Sequence, residues 1–255
     1  MIPLFLIGGG WRAETFPRTY GRFLRAAVKN DRRKIAFVVA EEPETDAQTQ
    51  FLRFFKPFEH IGLAFSETAG IIVSAENPLT EEKLAETEPT GVFVCGGLTP
   101  AYANALCTDR NWLAFLKEKE IPYGGFSAGA AIAAERAIVG GWRRKIREKS
   151  VEIVNENAGE DLDYLEVRKG LRLVPFAVDI HASQWGTLSR LIHAVDAETV
   201  NEGWAIDENT LMEIIEGEVK IYGDGSAYRV SQKNGKISVE IVNEQFARFE
   251  TPFVN

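Results

Sequence analysis

The stretch Ile121-Pro122-Tyr123-Gly124-Gly125-Phe126-Ser127-Ala128-Gly129-Ala130-Ala131-Ile132 constrains the fold more than any other part of the chain. It reads as a short strand, a tight turn with a serine at its apex, and the start of a helix built from small residues. Gly125-Phe126-Ser127-Ala128-Gly129 matches G-x-S-x-G, the strand-to-helix elbow that exposes a nucleophilic hydroxyl. A serine at such an apex needs neighbours without side chains, so that strand and helix can approach closely. The elbow also frees N–H groups that can receive a developing oxyanion. Its alternative is an ordinary βα turn.

Around the elbow, strand-like and helical patterns alternate. Pro3–Ile7, Lys34–Ala40, Ile61–Phe65, Gly70–Ser74 and Gly91–Cys95 read as strands, several of them continuous apolar runs of the kind buried on both faces. Segments around 20–30, 45–55, 80–86 and 102–118 read as helices. This rhythm predicts an α/β fold with a doubly wound parallel sheet. Residues 140–163 form a charged excursion, suited to a lid or a dimer contact. Leu171–Ile180 reads as a strand and Thr187–Ala194 as a helix, and the chain from about 203 to 255 reads as a β-meander with turns at Asp224-Gly225 and Asn234-Gly235. With 255 residues and no dividing linker, one domain is expected.

Composition narrows the function. A net charge of -8 and a pI near 5.1 argue against nucleic-acid binding. No apolar run approaches the roughly 20 residues of a membrane span. Cys95 and Cys107 have no metal-like spacing. Free thiols in a reducing, cytoplasmic setting are expected.

Sites in open parallel sheets lie at the carboxyl ends of the strands, where Gly8-Gly9-Gly10, Gly96-Gly97-Leu98-Thr99, the Ser127 elbow and Asp179-Ile180-His181 fall. A serine nucleophile needs a base, and the chain offers three histidines. His60 reads as a loop residue and His193 as a helical, structural one. His181 ends a buried strand and is the expected base. Gly96-Gly97 can supply a second oxyanion donor through its backbone. The chain order differs from an α/β-hydrolase, in which the histidine lies near the C-terminus after a later acid.

Taken together, Gly125–Ala131, Gly96–Thr99, Asp179–His181 and Gly203–Thr210 resemble the S51 serine peptidases, the family of aspartyl dipeptidase (peptidase E) and cyanophycinase. The resemblance covers roughly Pro3 to Met212. It implies a class I glutamine-amidotransferase-like, flavodoxin-like sandwich. It also implies Ser127 as nucleophile, His181 as base, and Gly97 and Ala128 as the oxyanion hole. The substrate it implies is a small peptide or amide next to aspartate, with no cofactor, metal, nucleic acid or membrane partner; a homodimer is compatible with it. Thr99, Asp179, Trp185 and Arg190 are expected to contact substrate, Arg190 through a carboxylate unless it forms a helix-surface salt bridge. Trp185 and Thr187 stand where the cyanophycinase pattern has arginines, which argues against cyanophycin and for a flatter, more apolar pocket. The third catalytic member should be an acid beyond the elbow helix; Glu148 is the nearest that could orient the imidazole, with Glu152 and Glu135 as alternatives. Asp207-Glu208-Asn209-Thr210 reads as turn chemistry. Two other functions stay open: a non-hydrolytic binding or regulatory protein on this fold, and an amidase or esterase with a non-peptide substrate.

Overall fold

In the computed structural model, residues 1–42, 46–244 and the strand Phe249–Glu250 are described. The parallel strands are β1 (Leu4–Ile7), β2 (Ile35–Ala40), β3 (Thr68–Val73), β4 (Gly91–Val94) and β5 (Tyr123–Phe126), in spatial order β1-β5-β4-β2-β3. Their connections carry α1 (Tyr20–Ala26), α2 (Ala47–His60), α3 (Glu81–Ala85), α4 (Thr99–Leu106) and α5 (Trp112–Glu118). β1, β2, β4 and β5 are buried throughout, as their unbroken apolar runs require when helices cover both faces. α1 and α2 pack together over β1, β2 and β4, while α4 packs against the elbow helix α6 (Ala128–Ala131) on the sheet's other side. Beneath α1 and α2, Phe23, Phe37, Phe58 and Phe93 meet with ring centroids 4.8–6.0 Å apart.

Several elements differ from the sequence expectation. Thr45, the expected start of a helix, lies outside the described residues; α2 begins after Asp46, whose side chain accepts the Thr49 N–H. It runs on to His60, through Pro57. Ile61–Ala64 is a turn and irregular chain, and Phe65 opens the short 3-10 helix Phe65–Glu67, rather than forming a strand. The expected helix over 102–118 is two helices, α4 and α5, separated by Cys107–Asn111. The charged excursion follows β6 (Arg136–Gly140) and holds a hairpin of β7 (Arg143–Ile146) and β8 (Lys149–Glu152) before β9 (Glu166–Lys169) returns to pair with β6.

The C-terminal region is rich in strands as expected, residues 245–248 and 251–255 lying outside the described residues, but its strands serve two sheets instead of one meander. β10 (Ala177–Ile180) leads through α7 (Thr187–Asp196) to β11 (Glu202–Ile206), and the two strands pair in parallel. β14 (Ala227–Lys233) and β15 (Lys236–Val242) complete this second, four-stranded sheet. Between them β12 (Thr210–Ile215) crosses back to pair antiparallel with β1, and β13 (Glu218–Gly223), antiparallel to β12, extends the central sheet further, with β16 (Phe249–Glu250) at its edge. The two sheets are stitched at the end of β1: His181 N–H donates to Gly8 O at 3.0 Å, and Asn209 N–H donates to Gly9 O at 2.7 Å. The strand end bearing His181 is thereby brought from one sheet to the carboxyl edge of the other.

Candidate active site

Ser127 occupies the elbow with φ 50° and ψ -111°, a conformation costly for a residue with a Cβ and held here by its surroundings. Its N–H donates to Ile7 O at 2.9 Å, and its carbonyl accepts from Ala130 and Ala131. A Cβ on Gly125 would come 2.5 Å from Gly129 O, and one on Gly129 would overlap the Val94 carbonyl, so G-x-S-x-G is a packing requirement as well as a turn signal.

Ser127 Oγ lies 3.0 Å from His181 Nε2, and His181 Nδ1 lies 2.8 Å from Glu208 Oε1. With Nδ1–H donating to the carboxylate, Nε2 is left to accept the serine hydroxyl proton. The hydrogen bond from the imidazole holds the Glu208 carboxyl below the usual carboxylate range, against a smaller opposing effect of burial. Trp185 stacks on the imidazole, with centroids 3.9 Å apart and planes 10° from parallel. On the other side Gly9 makes the room, since a Cβ there would overlap the His181 ring. The backbone N–H groups of Gly97 and Ala128 donate to no protein acceptor among the described residues, and Gly96 packs against Ser127.

Glu208 is carried by the crossover from β11 to β12. Asp207 anchors that turn, its carboxylate accepting from Ser183 N–H and Ser226 N–H at 2.9 Å each, and Gln184 Oε1 accepts the Glu208 N–H at 2.9 Å. The turn chemistry expected for this tetrapeptide is present in Asp207; the carboxylate facing His181 sits between the turn formers, and sequence reasoning passed over it. Its available signal was position: an acid two residues after the end of a buried strand that pairs in register with the histidine strand.

Glu148 is not at the site. It lies at the tip of the β7–β8 hairpin with φ 65°, in solvent, where its sequence proximity to the elbow has no spatial counterpart. Glu152 is exposed on β8, and Glu135 is 3.3 Å from Arg172 Nε. Asp179 and Arg190 do not reach the cavity either. They form a buried bidentate pair, Nε–Oδ2 at 2.9 Å and Nη2–Oδ1 at 2.7 Å, and Arg190 Nη1 donates to Ala158 O at 2.5 Å. Arg190 is neither a surface salt bridge nor a free anion binder, because its guanidinium is consumed inside the protein. Thr99 is buried at the start of α4, its N–H donating to Glu160 Oε2 at 3.0 Å. Of the four expected substrate contacts, Trp185 lines the cavity. His60, the last residue of α2, is exposed and edge-on to Phe16, at the surface rather than in a loop, and His193 lies on α7 beside Arg144, consistent with a structural role.

The cavity over Ser127 has a volume of about 1000 Å³. Trp11, packed at a tilt against Phe126 and Phe54, forms one wall. The excursion supplies another through Trp142 and residues 156–163, so this segment borders the site. Glu42 Oε1 accepts the Leu98 N–H at 2.7 Å and occupies the space where a Gly97 Cβ would stand. Burial, together with Asp161, raises the Glu42 carboxyl pKa, while the Leu98 N–H opposes the shift; burial lifts Glu160 to about 7. No helix among the described residues is long and apolar enough to cross a membrane.

No family model matches the chain, and no curated protein matches it. Similar solved structures include two whose names are those of peptidases. One is a peptidase from an acI-B1 Actinobacterium, 16% identical, with a TM-score of 0.63, covering 95% of this chain and 94% of that one. The other is a candidate peptidase E protein from Listeria monocytogenes EGD-e, also 16% identical, with a TM-score of 0.51, covering 88% of this chain and all of that one. At such identity the likeness is one of fold: this chain has the mixed α/β architecture of proteins named as peptidases.

Proposed function

We propose that the protein is a serine hydrolase of the S51, peptidase E type that cleaves small peptides or related amides. The observation that carries this reading is the continuous relay Ser127 Oγ–His181 Nε2, His181 Nδ1–Glu208 Oε1 at 3.0 and 2.8 Å, opening into a cavity. Ser127 Oγ attacks the substrate carbonyl carbon while its proton passes to His181 Nε2. The tetrahedral oxyanion is received by the N–H groups of Gly97 and Ala128. Collapse expels the amine, which takes the proton from Nε2, and leaves an acyl-Ser127 ester. Water then attacks the ester with His181 as base, releasing the acid and restoring Ser127. Glu208 stays ionised, fixing the imidazole tautomer and balancing the imidazolium.

Glu208 counts against the non-hydrolytic reading, because it gives His181 an acidic partner. The reading keeps the expected cytoplasmic setting and a small, soluble substrate. It is tested by intact-mass analysis after exposure to a small fluorophosphonate. One adduct that maps to Ser127 and is absent from Ser127→Ala is expected; an unmodified protein after long exposure to several probe sizes would overturn the assignment. A panel of dipeptides, amides and esters then separates a peptidase from an amidase or esterase.

A further inference from the structure

Gly97 N–H, read above as an oxyanion donor, belongs to a peptide with glycine on both sides. Glycine tolerates nearly every φ/ψ, so the Gly96–Gly97 peptide plane has little resistance of its own to rotation, and whatever aims its N–H must act from outside. Tyr102, on the first turn of α4, is placed to do so: its hydroxyl donates to Gly96 O at 3.0 Å. In a trans peptide the carbonyl and the N–H point in opposite directions, so a hold on Gly96 O fixes the direction of Gly97 N–H. Tyr102 is fully buried, and burial pushes its hydroxyl well above the usual tyrosine range, which keeps the donated proton in place. The next two peptides are held from other parts of the chain. Leu98 N–H donates to Glu42 Oε1 at 2.7 Å, on the connection from β2 to α2, and Thr99 N–H to Glu160 Oε2 at 3.0 Å, on the excursion. Glu42 and Tyr102 also close on Gly97 itself, since a Cβ there would overlap Glu42 Oε1 and come 3.2 Å from Tyr102 Cε2. Gly96 in turn lies against the nucleophile: a Cβ on it would come 3.0 Å from Ser127 Cβ. Of the three consecutive N–H groups, that of Gly97 has no protein acceptor among the described residues, and Gly97 lines the same cavity as Ser127.

We infer that Tyr102 and Glu42 are positioning residues for the oxyanion hole: they clamp the peptides on either side of Gly97 and hold its N–H toward the tetrahedral oxygen that forms at Ser127. This deepens the proposed hydrolase reading and rests on it for the reacting carbonyl. A donor fixed before the reaction needs no reorganisation when the negative charge appears, whereas a peptide free to rotate would have to be ordered at that moment. Capping of α4 accounts for Glu160 and for part of what Glu42 does. It does not account for Tyr102, whose partner is a carbonyl ahead of the helix and not one of the helix's free N–H groups.

The test is saturating inactivation by a small fluorophosphonate, whose phosphoryl oxygen draws on the same donors as the tetrahedral oxygen. In Tyr102→Phe, which keeps the ring and loses the donor, kinact should fall about tenfold while KI moves less than about twofold. The midpoint of the kinact–pH profile should stay at the wild-type value, because the relay of Ser127, His181 and Glu208 is untouched; a general loosening of the site would move KI or that midpoint as well. Glu42→Ala should lose a similar factor, and Glu42→Gln, whose amide oxygen can still accept the Leu98 N–H, should regain most of it. A crystal structure of Tyr102→Phe should show the Gly96–Gly97 peptide rotated or in two orientations. Inactivation of Tyr102→Phe at the wild-type kinact, a KI and midpoint that shift with the rate, or a single unchanged peptide orientation would overturn the inference. A wild type that is never modified would instead overturn the hydrolase reading, and the crystal structure of Tyr102→Phe then decides the clamp by itself.

Discussion

Glu208 meets His181 from a different strand and a different turn: its Oε1 stands 2.8 Å from Nδ1 across 27 residues of chain. That contact fixes which ring nitrogen faces Ser127. Glu208→Gln can present an N–H to Nδ1 and stabilise the wrong tautomer, so kcat should fall by about 10²–10⁴ with the fold intact. Steady-state kinetics beside circular dichroism make the check. Glu148→Gln, at a hairpin tip, should leave kcat within twofold; the reverse ranking would return the acid's role to the excursion.

Gly9 has φ +124° and borders the imidazole so closely that a methyl group would occupy its place. Gly9→Ala should therefore displace the base and reduce fluorophosphonate labelling of Ser127 by at least tenfold. Ala at Gly186, where a Cβ meets nothing within 4 Å although φ is also positive, is the matched control for backbone strain. Equal labelling of both variants would show that His181 tolerates the methyl group.

The Asp179–Arg190 pair is buried and bidentate. Arg190→Met strands the Asp179 carboxylate, and Asp179→Asn leaves a buried guanidinium short of its counter-charge; each should cost about 3–5 kcal/mol in urea unfolding. The double variant should be less destabilised than the two single losses added together. Strict additivity would mean that the two groups do not act on each other.

Burial lifts the Glu160 carboxyl to about 7, with the Thr99 N–H and Arg190 pulling the other way. In the unfolded chain the same group titrates in the ordinary carboxylate range. Between those two values the native protein holds a proton that the unfolded chain has released, so this group's effect on stability becomes unfavourable as pH rises and levels off above about 7. Glu160→Gln removes that slope while keeping an acceptor for Thr99. Its Tm relative to wild type should be higher at pH 8 than at pH 5; a gap independent of pH would show that Glu160 ionises freely in the fold.

Ser127 was legible because an elbow is a local device: strand, glycines, serine and helix are contiguous in the sequence, and the packing that demands them is equally local. His181 was legible by scarcity and by its place at the end of an apolar run. Glu208 was not, because its position depends on a chain that leaves one sheet at Ile206 and enters another at Thr210, and no periodicity records that crossing. Asp207 and Asn209 behave as turn formers, which hides the residue between them. Glu148 was expected from its place between the elbow helix and the histidine strand, but a two-stranded excursion carries it away. Arg190 and Asp179 show the same limit from the other side: charge in a sequence does not reveal whether a pair faces a ligand or each other.

The crossover between the sheets also has a bearing on biosynthesis. Ser127 and its elbow leave the ribosome well before His181, and Glu208 follows later still. A nascent chain that has folded only its parallel core holds a serine without a base, and one extended through β10 holds a base without its carboxylate. The relay is completed only when the segment joining Ile206 to Thr210 docks at the end of β1. On the proposed hydrolase reading, a chain that ends before Thr210 therefore lacks the assembled relay of Ser127, His181 and Glu208.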